Sequence, residues 1–497
     1  ANDGNPVNNA MLLDANSRVS LSNNDSGTSN TVFGKLAGED LASGGNYNVF
    51  IGEDAGKNVT TGDGTVAVGF GALFTEILGN ETTAIGTGAL YSQVRGSSAT
   101  TGNVGVGRQA GYYNVTGTNN TYVGYRSGFG ADSQSNSNNT AVGKDALLAI
   151  TTGVSNVAVG SGAGDSLTDG ASNVIIGKEA GNATTSALHT VIIGKGAANG
   201  NLTGSGGAEG TIAIGYAALQ ALTSGIGNVA IGYQALDAED DGDYNTAVGH
   251  QALTAQTGTS GSVNNTAVGY KAGTSIVKGK QNTAVGSQAL YTDDYGDGNT
   301  AVGYGVMYEQ NTSGTSNVTS ANTGVGQSAG NHNQTGTNNT LIGYKAGYGA
   351  SGQSHSNNTA VGKDALLAVT DGEGTVAVGY EAGKAITTAE RNTFVGRIAG
   401  TAIDTGNYNV AVGGSAIGTA TNALRNTAVG YNAMADVDDG DAVDGCVAVG
   451  YGALMGNASN TTAIDGTIAI GYNSLTALTT GGNNVAIGYQ AATALTT

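Results

Sequence analysis

Several residue types that stabilise other proteins are scarce in this sequence. Tryptophan is absent from its 497 residues, and proline and cysteine occur once each, as Pro6 and Cys446. A single cysteine excludes an intrachain disulfide framework, and a single proline excludes collagen, which needs much proline. No apolar run reaches the roughly 20 residues of a transmembrane helix. The net charge of −19 argues against electrostatic binding to nucleic acid or to an anionic membrane surface. We therefore expect neither a nucleic-acid partner nor membrane insertion.

Glycine, by contrast, is abundant, with 86 residues, and it marks a repeat. A β-branched residue, a small residue and Val or Ile precede a marker glycine along nearly the whole chain, as in Thr246-Ala247-Val248-Gly249. The marker glycines stand at positions 34, 52, 69, 86, 107, 124, 143, 160, 177, 194, 215, 232, 249, 269, 286, 303, 326, 343, 362, 379, 396, 413, 430, 450, 471 and 488. Sixteen of the 25 intervals span seventeen positions and the others span 18 to 23, so the seventeen-residue interval is the basic period.

The residues around the marker predict a short strand. Three residues before the marker stands Thr, Val or Ile, and one residue before it stands Val or Ile except at Phe33. These two positions share one face of a strand, and we predict that this face is the core. The residue between them, usually Ala, would form with the marker glycine a smooth outer face that another backbone could approach closely. A second apolar segment, Ala followed by Leu or Gly, begins three residues after the marker and predicts a second strand.

One coil of this basic length cannot bury its own apolar face, whereas stacked coils can. The sequence therefore predicts an all-β fold, a parallel β-solenoid or β-roll of about 26 coils over residues 31–497. At about 4.8 Å per coil, the stack would be a rod roughly 120 Å long. Residues 1–30 lack the marker, and we interpret them as an N-terminal attachment segment, with 11–13 and 19–21 as candidate strands.

The sequence also contains a longer repeat that spans several coils. Residues 117–147 match residues 336–366 at an offset of 219, and residues 210–219 match residues 466–475 at an offset of 256. The offset grows by the length of two coils, which indicates duplication of a block followed by insertion of whole coils. A structural shaft tolerates such growth, whereas an active site does not, and we predict that the protein is not an enzyme.

The repeat resembles that of two groups of fibrous proteins. The pattern in Asn245-Thr246-Ala247-Val248-Gly249 and again in Asn282-Thr283-Ala284-Val285-Gly286 is similar to the head repeat of trimeric autotransporter adhesins. It more closely resembles the repeat arrays of tail fibres of tailed bacteriophages, especially marine ones, and residues 11–22 look like the segment that precedes those arrays. The resemblance covers nearly the whole chain.

The resemblance implies a homotrimer of left-handed β-rolls, in which the Ala and Gly faces would pack about one axis. It implies a virion tail fibre that is attached to a tail or baseplate protein at the N-terminal end and that contacts a glycan or protein receptor on the host surface. Many phage relatives end in a chaperone domain that cleaves itself off, whereas this sequence stops within the repeat pattern at Thr497.

Acidic turns are the strongest candidates for ion binding. Carboxylates and backbone carbonyls of a tight turn are ligands of Ca²⁺, although none of these turns has EF-hand or glycine-rich nonapeptide spacing. Solvated acidic turns without an ion remain the alternative, so the sequence assigns no catalytic residue and no cofactor other than a Ca²⁺ candidate. The candidate ligands are Asp240, Asp241 and Asp243 in one turn and Asp438, Asp439 and Asp441 in another, and a third acidic turn covers residues 293–297.

Tyrosine follows the marker in many coils, and a stacked aromatic ladder either binds sugar rings or serves packing alone. These tyrosines are Tyr216, Tyr233, Tyr270, Tyr304, Tyr344, Tyr380, Tyr431, Tyr451, Tyr472 and Tyr489. Long insertions in the repeat are expected recognition loops. They cover residues 96–102, 198–207, 256–264, 308–322 and 456–466.

These features favour a structural adhesion fibre, namely the shaft of a trimeric phage tail fibre with receptor-contacting loops. A bacterial cell-surface adhesin or extracellular filament is the alternative. An ice-binding solenoid is suggested by the threonine column that includes Thr246, Thr266 and Thr283, but that column alternates with Val and Ile, which suits a buried position better. A polysaccharide-degrading solenoid would need paired carboxylates across a cleft, and the sequence places none.

Overall fold

The computed structural model describes residues 27–95, 99–200, 202, 208–257, 261–311, 318–437, 443–456 and 463–497. These residues form strands, turns and irregular segments, in two units, Ala1–Asn228 and Val229–Thr497. Most of the attachment segment predicted at residues 1–30, including the candidate strands 11–13 and 19–21, lies outside the described residues. Within the described residues, no helix is long and apolar enough to span a membrane.

The first unit contains eleven strands of three residues among its described residues. They are β1 (Thr31–Phe33), β2 (Val49–Ile51), β3 (Val66–Val68), β4 (Thr83–Ile85), β5 (Val104–Val106), β6 (Thr121–Val123), β7 (Thr140–Val142), β8 (Val157–Val159), β9 (Val174–Ile176), β10 (Val191–Ile193) and β11 (Ile212–Ile214).

The second unit contains fifteen strands of three residues and four of two residues, again among the residues described. They are β12 (Val229–Ile231), β13 (Gly242–Asp243), β14 (Thr246–Val248), β15 (Gly261–Ser262), β16 (Thr266–Val268), β17 (Thr283–Val285), β18 (Gly296–Asp297), β19 (Thr300–Val302), β20 (Val318–Thr319), β21 (Thr323–Val325), β22 (Thr340–Ile342), β23 (Thr359–Val361), β24 (Val376–Val378), β25 (Thr393–Val395), β26 (Val410–Val412), β27 (Thr427–Val429), β28 (Val447–Val449), β29 (Ile468–Ile470) and β30 (Val485–Ile487).

Within each unit, successive coils place their strands side by side in parallel. In the first unit, Val49 of β2 pairs with Val66 of β3, which stands one basic period later in the chain. In the second, Thr246 of β14 pairs with Thr266 of β16, across a coil that is three residues longer. Because the register is the same for both spacings, the extra residues of the longer coils lie outside these strands. The predicted all-β parallel solenoid with a basic period of seventeen residues is confirmed.

The middle residue of each strand fills the coil, so the prediction that the two flanking positions form the core is wrong. Ala247 is fully buried, whereas Thr246 and Val248 on either side of it are partly exposed. The middle residue is buried in every three-residue strand after β1. A closed coil of so few residues leaves a narrow interior that suits Ala, and the β-branched residues that favour extended backbone point outwards. The predicted outer face of Ala and Gly is therefore also wrong.

The width of the interior is shared between the middle strand residue and the residue four positions after the marker. Phe50 fills the coil because Gly38 and Gly56 stand opposite it, where a Cβ atom would approach its ring to 2.9 and 2.6 Å. Conversely, Leu90 faces Gly105, where a Cβ atom would lie 2.8 Å from the leucine Cγ. The alternation of Leu and Gly after the marker thus complements the size of the strand residue.

The second apolar segment is a turn rather than the predicted strand. In the coil that follows Gly232, the backbone φ is +50° at Gln234 and +51° at Leu236, whereas a strand needs negative φ at every residue. A left-handed conformation costs about 1–2 kcal/mol per residue, and full burial of a leucine returns about 1.5–3 kcal/mol. The Leu236 amide also donates to the Ala252 carbonyl of the next coil at 3.1 Å.

The marker glycine is required by the stacking of coils. Gly249 has a φ of +143°, and a Cβ atom there would lie 2.3 Å from the carbonyl oxygen of Gly269, the marker of the next coil. A close backbone approach at the marker was predicted, and it comes from the next coil of the same chain.

Buried asparagines join the coils just before the strands. Asn139 Oδ1 accepts the backbone N–H of Asn156 at 2.9 Å, and Asn139 Nδ2 donates to the Gly153 carbonyl at 2.9 Å. Asn156 repeats both bonds, to the amide of Asn173 and the carbonyl of Gly170. Because an unpaired buried amide costs about 1–3 kcal/mol, this column fixes the register of the coils that carry asparagine here on their neighbours. Cys446 occupies one position of the column, and burial raises the pKa of its thiol to about 11.

Candidate functional site

The outward face of the strands is the first candidate surface. It carries Thr, Val or Ile at both ends of nearly every strand, with Val and Ile next to the marker. Ile51, Ile85 and Val395 keep 37%, 39% and 38% of their surface exposed. Residues two apart in a strand are separated by about 6.6 Å and adjacent strands by about 4.8 Å. The result within each unit is a regular array of methyl groups with threonine hydroxyls among them.

The tyrosines that follow the marker form the second candidate surface. All ten of those singled out from the sequence are exposed, by 40–74% of their surface. In the last coils, the rings of Tyr431, Tyr451, Tyr472 and Tyr489 stack with centroids 5.4, 5.3 and 5.3 Å apart. The predicted aromatic ladder therefore exists in this part of the chain, and stacking between coils accounts for it without any ligand.

A second aromatic column, which sequence reasoning missed, lies five residues after the marker. Phe74, Tyr91, Tyr112 and Phe129 stack there with centroids 4.9, 4.9 and 5.5 Å apart. In the second unit, Tyr291 and Tyr308 stack at 4.8 Å. The signal was an aromatic residue at a constant distance from the marker, but it is present in only a minority of coils.

Notches open between the two aromatic columns where the residue two after the marker is glycine. The larger, here called the Gly305 notch, has a volume of about 280 Å³. A second, the Gly88 notch, has about 150 Å³ and lies among Phe70, Tyr91 and Tyr112. The Gly305 notch is lined by Gln288, Tyr304, Gly305, Tyr308, Glu309, Asn331 and His332.

Polar groups stand around the aromatic walls of the Gly305 notch. His332 Nδ1 lies 3.0 Å from Glu309 Oε2, and both side chains are largely buried. Asn331 Nδ2 donates to the Gly305 carbonyl at 2.7 Å, which holds the amide against the floor. The His332 ring also meets Tyr348 edge to face at 4.7 Å. The notch therefore combines ring faces with a carboxylate, amides and an imidazole.

One acidic turn brings carboxylates together. Oxygens of Asp240 and Asp241 lie within 4.8 Å of each other and of Glu239, while Asp243 falls outside this group and belongs to β13. Burial raises the pKa of Glu239, and its Oε1 accepts the backbone N–H groups of Asp240, Asp241 and Gly242 at 3.0, 3.2 and 2.7 Å. Burial, and next the neighbouring Asp240, raise the pKa of Asp241. The inner carboxylate thus caps its own turn.

The other acidic turns give no further group of this kind within the described residues. In the turn at 293–297, Asp293 accepts the Gly296 amide at 3.1 Å and the Asn299 side chain at 3.0 Å, and Asp297 accepts the Lys280 amide at 2.7 Å. These carboxylates close turns and join coils. The remaining candidate ligands, Asp438, Asp439 and Asp441, lie outside the described residues.

The five insertions lie partly outside the described residues, but the bases of three of them are described. Gln93 precedes the insertion at 96–102, and its Oε1 accepts Asn103 Nδ2, just after the insertion, at 2.9 Å. Asn265 donates to Gln256 in the same way at 2.8 Å, and Asn322 to Gln310 at 3.3 Å. All these side chains are buried. A Gln–Asn pair inside the coil therefore closes the base of each of these loops.

The four histidines occupy separate environments. His189 lies 3.6 Å from Glu209, His250 stacks on Tyr233, and His332 lies in the Gly305 notch. His355 is buried, with Nε2 3.2 Å from the Gly347 carbonyl, and burial lowers its pKa to about 4. Each histidine thus has a local structural partner.

No family model and no curated protein sequence matches this chain.

Proposed function

We propose that the chain forms the shaft of a homotrimeric phage tail fibre. This extracellular fibre carries surface-recognition sites. A long β-solenoid fits a fibrous structural protein. The observation that carries the association of copies is the outward face of Thr, Val and Ile, repeated from coil to coil in each unit, and the number three follows the resemblance to trimeric fibres. Interfaces between permanently associated copies are more apolar than ordinary surface, and this face has that composition. It replaces the Ala and Gly face as the proposed contact between copies.

In this proposal, residues 1–30 attach the fibre to a tail or baseplate protein, and the side opposite the contact between copies meets a glycan or protein receptor of the host. The net charge of −19 keeps fibres apart and soluble. A bacterial cell-surface adhesin with the same architecture is the alternative location, and presence of the protein in purified virions or in bacterial envelopes distinguishes the two.

The oligomer is tested by light scattering of the full chain, with negative-stain imaging. We expect the mass of three chains and a thin rod. Replacing Val268 and Val285 on the outward face together by lysine should lower the mass to that of one chain, because like charges would face each other across a dehydrated interface. Gln281→Lys, which adds a charge at an exposed turn position next to the same strands, should keep the trimer. A wild-type chain that is monomeric at all concentrations would refute the proposal.

Ice binding is a second candidate function, and the same face favours it. The objection that the threonine column suits a buried position no longer holds, because Thr246 and Thr283 point outwards. An array of threonine and valine at fixed spacing presents methyl and hydroxyl groups to water. Thermal hysteresis in a solution of the purified chain would support this function, and its absence would remove it.

A further inference from the structure

We propose that the Gly305 notch is a saccharide-binding site that accepts one pyranose ring between Tyr304 and Tyr308. The inference rests on the proposed function, since it names the ligand class that a surface-recognition fibre would bind. The proposed site lies on the coil itself and not on the insertions. All residues that line it belong to one chain.

Two tyrosines line the notch, and one of them is held in place by a ring of the neighbouring coil. Tyr304 is 56% exposed, and Tyr308 stacks on Tyr291 with centroids 4.8 Å apart. The C–H groups on one face of a pyranose ring are apolar and carry partial positive charge, so they pack against the negative face of an aromatic ring. The stacking on Tyr291 means that Tyr308 loses little conformational freedom on binding.

The polar groups match the other side of a sugar. The Glu309 carboxylate, whose Oε2 lies 3.0 Å from His332 Nδ1, can accept hydrogen bonds from hydroxyl groups, and the amides of Gln288 and Asn331 are both donors and acceptors. A planar carboxylate or amide can bond two adjacent hydroxyls at once. An apolar ligand would make no hydrogen bond to these groups, and a phosphate would be repelled by the carboxylate.

The size of the notch also agrees with a single sugar ring. Its volume of about 280 Å³ falls just below the range of roughly 300–1,000 Å³ typical of sites for larger organic ligands. A monosaccharide has about a dozen non-hydrogen atoms, and the affinity of so small a ligand would be in roughly the millimolar range. Copies of the notch in an oligomer would compensate for such weak affinity by multivalent binding.

The notch depends on glycine at one position of the repeat. In neighbouring coils the residue two after the marker is Gln251, Lys271 or Gln288, each with φ near +55°, and such a side chain occupies the corresponding space. Gly305 has a φ of +57°, and a Cβ atom there would meet only the side chains of Asn331 at 3.5 Å and Ser328 at 3.9 Å. Gly305→Gln should therefore fill the notch without a steric clash, and it bears only the cost of a left-handed conformation that the neighbouring coils already accept at Gln251 and Gln288.

Gly162 provides the matched control. It occupies the same position of its coil, has a φ of +66°, and a Cβ atom there would have its nearest contact at 3.8 Å. The flanking residues are Ser161 and Asp165 instead of aromatic residues. Gly162→Gln thus makes the same change at a place without aromatic walls.

The experiment uses the full chain labelled with 3-fluorotyrosine and observed by ¹⁹F NMR. The Tyr304, Tyr308 and Tyr451 resonances are assigned by single Tyr→Phe variants. The probes are methyl glycosides of glucose, galactose, mannose and N-acetylglucosamine, with choline chloride as a cationic comparison. We expect at least one glycoside to shift the Tyr304 and Tyr308 resonances in a saturable manner and to leave Tyr451 unchanged. Gly305→Gln should weaken this binding at least tenfold, and Gly162→Gln should leave it unchanged.

The proposal is overturned if no glycoside shifts these two resonances, if choline alone shifts them, or if Gly305→Gln binds as wild type does. The number of chains per particle, measured by light scattering, is independent of this result. A monomeric chain that binds the glycoside would refute the trimer and keep the notch, whereas a trimer without binding would do the reverse.

Discussion

Two buried residue pairs occupy equivalent positions in the two copies of the duplicated block. They show how two side chains divide the space inside one coil. In the first copy, the Tyr122 hydroxyl donates to Asn136 Oδ1 inside the coil. At the equivalent positions of the second copy, Leu341 replaces the tyrosine and His355 replaces the asparagine. A large and a small side chain have been exchanged for a smaller and a larger one, so that both the volume and the hydrogen bonding of the interior are retained.

Exchange of one member of the first pair should be costly, and exchange of both should not. Tyr122→Leu leaves a cavity and removes one of the two donors to Asn136 Oδ1, which keeps only its bond from Asn139 Nδ2. Asn136→His overfills the coil beside the tyrosine. Each should destabilise the local structure by about 2–4 kcal/mol. The double variant reproduces the second copy and should recover most of this loss. Hydrogen exchange of β6 and β7, measured by mass spectrometry, gives the coupling energy, and additive losses would contradict the interpretation.

The second copy should be sensitive to acid at this pair. Burial lowers the pKa of His355 to about 4, while an exposed histidine in the unfolded chain titrates near 6.5. The unfolded state therefore binds more protons between these values, and local stability falls by about 3 kcal/mol as the pH drops from 6.5 to 4. Hydrogen exchange of β22 and β23 should accelerate accordingly, relative to the variant in which Leu341→Tyr and His355→Asn restore the first pair. Equal acceleration in that variant would show that other groups are responsible.

At the scale of the strand and its turn, the repeat depends most on the marker glycine. Gly249→Ala places a Cβ atom 2.3 Å from the Gly269 carbonyl oxygen, so two coils must separate or lose their pairing. We expect a local loss of about 3 kcal/mol or more, seen as faster exchange of β14 and β16.

Gly445→Ala is the control for this substitution. Gly445 also has positive φ, at +68°, but a Cβ atom there would meet nothing within 4 Å. Only the cost of the left-handed conformation applies, about 1–2 kcal/mol. Equal losses in the two variants would show that stacking at the marker is not the reason for glycine.

The sequence identified the strand but not which of its faces points inwards. Strict alternation predicts two faces, and in a wide sheet the larger apolar residues take the inner one. Here the interior of the short coil accepts Ala247 and excludes Thr246 and Val248, which only closure of the coil could reveal. The turn after the strand was missed as well, because Leu236 looks like a strand residue until its φ is known to be +51°.

Of the candidate surfaces, the tyrosine ladder was predictable because its residues follow the marker directly. The notches were not, since they need two aromatic columns and an intervening glycine that coincide in only a few coils. The closure of the insertions by Gln93 with Asn103, or by Gln256 with Asn265, was equally hidden. Pairs 9 or 10 residues apart have no fixed period that the sequence alone would show.

At the scale of the whole molecule, the basic period should be removable as a unit. Deletion of residues 161–177, which form one coil with β9, brings Val157 of β8 beside Val191 of β10 in the original register. Asn156 then accepts the amide of Thr190, as Asn173 now does at 3.0 Å. Because each coil contacts only its neighbours, we expect a folded chain with unchanged circular dichroism per residue and slow exchange of β8 and β10.

Deletion of one residue more, 161–178, leaves a coil that is one residue shorter than the basic period, and no interval in the sequence is shorter than that period. A slip of one residue would turn Ile192 outwards and Val191 inwards. We expect fast exchange in β8 and β10 of this variant. Slow exchange in both deletions would show that the coil length is not a constraint.

The paired exchange of Tyr122 and Asn136 for Leu341 and His355 also limits how the gene can rearrange. Duplicated blocks invite unequal crossing-over, which lengthens or shortens a protein by whole coils. A breakpoint between codons 122 and 136, or between their counterparts 341 and 355, would place tyrosine with histidine, or leucine with asparagine, inside the same coil. Recombinants that persist should therefore have their junctions outside this interval of fourteen codons. Packing inside one coil thus makes the codons of this interval a segment that is inherited as a unit.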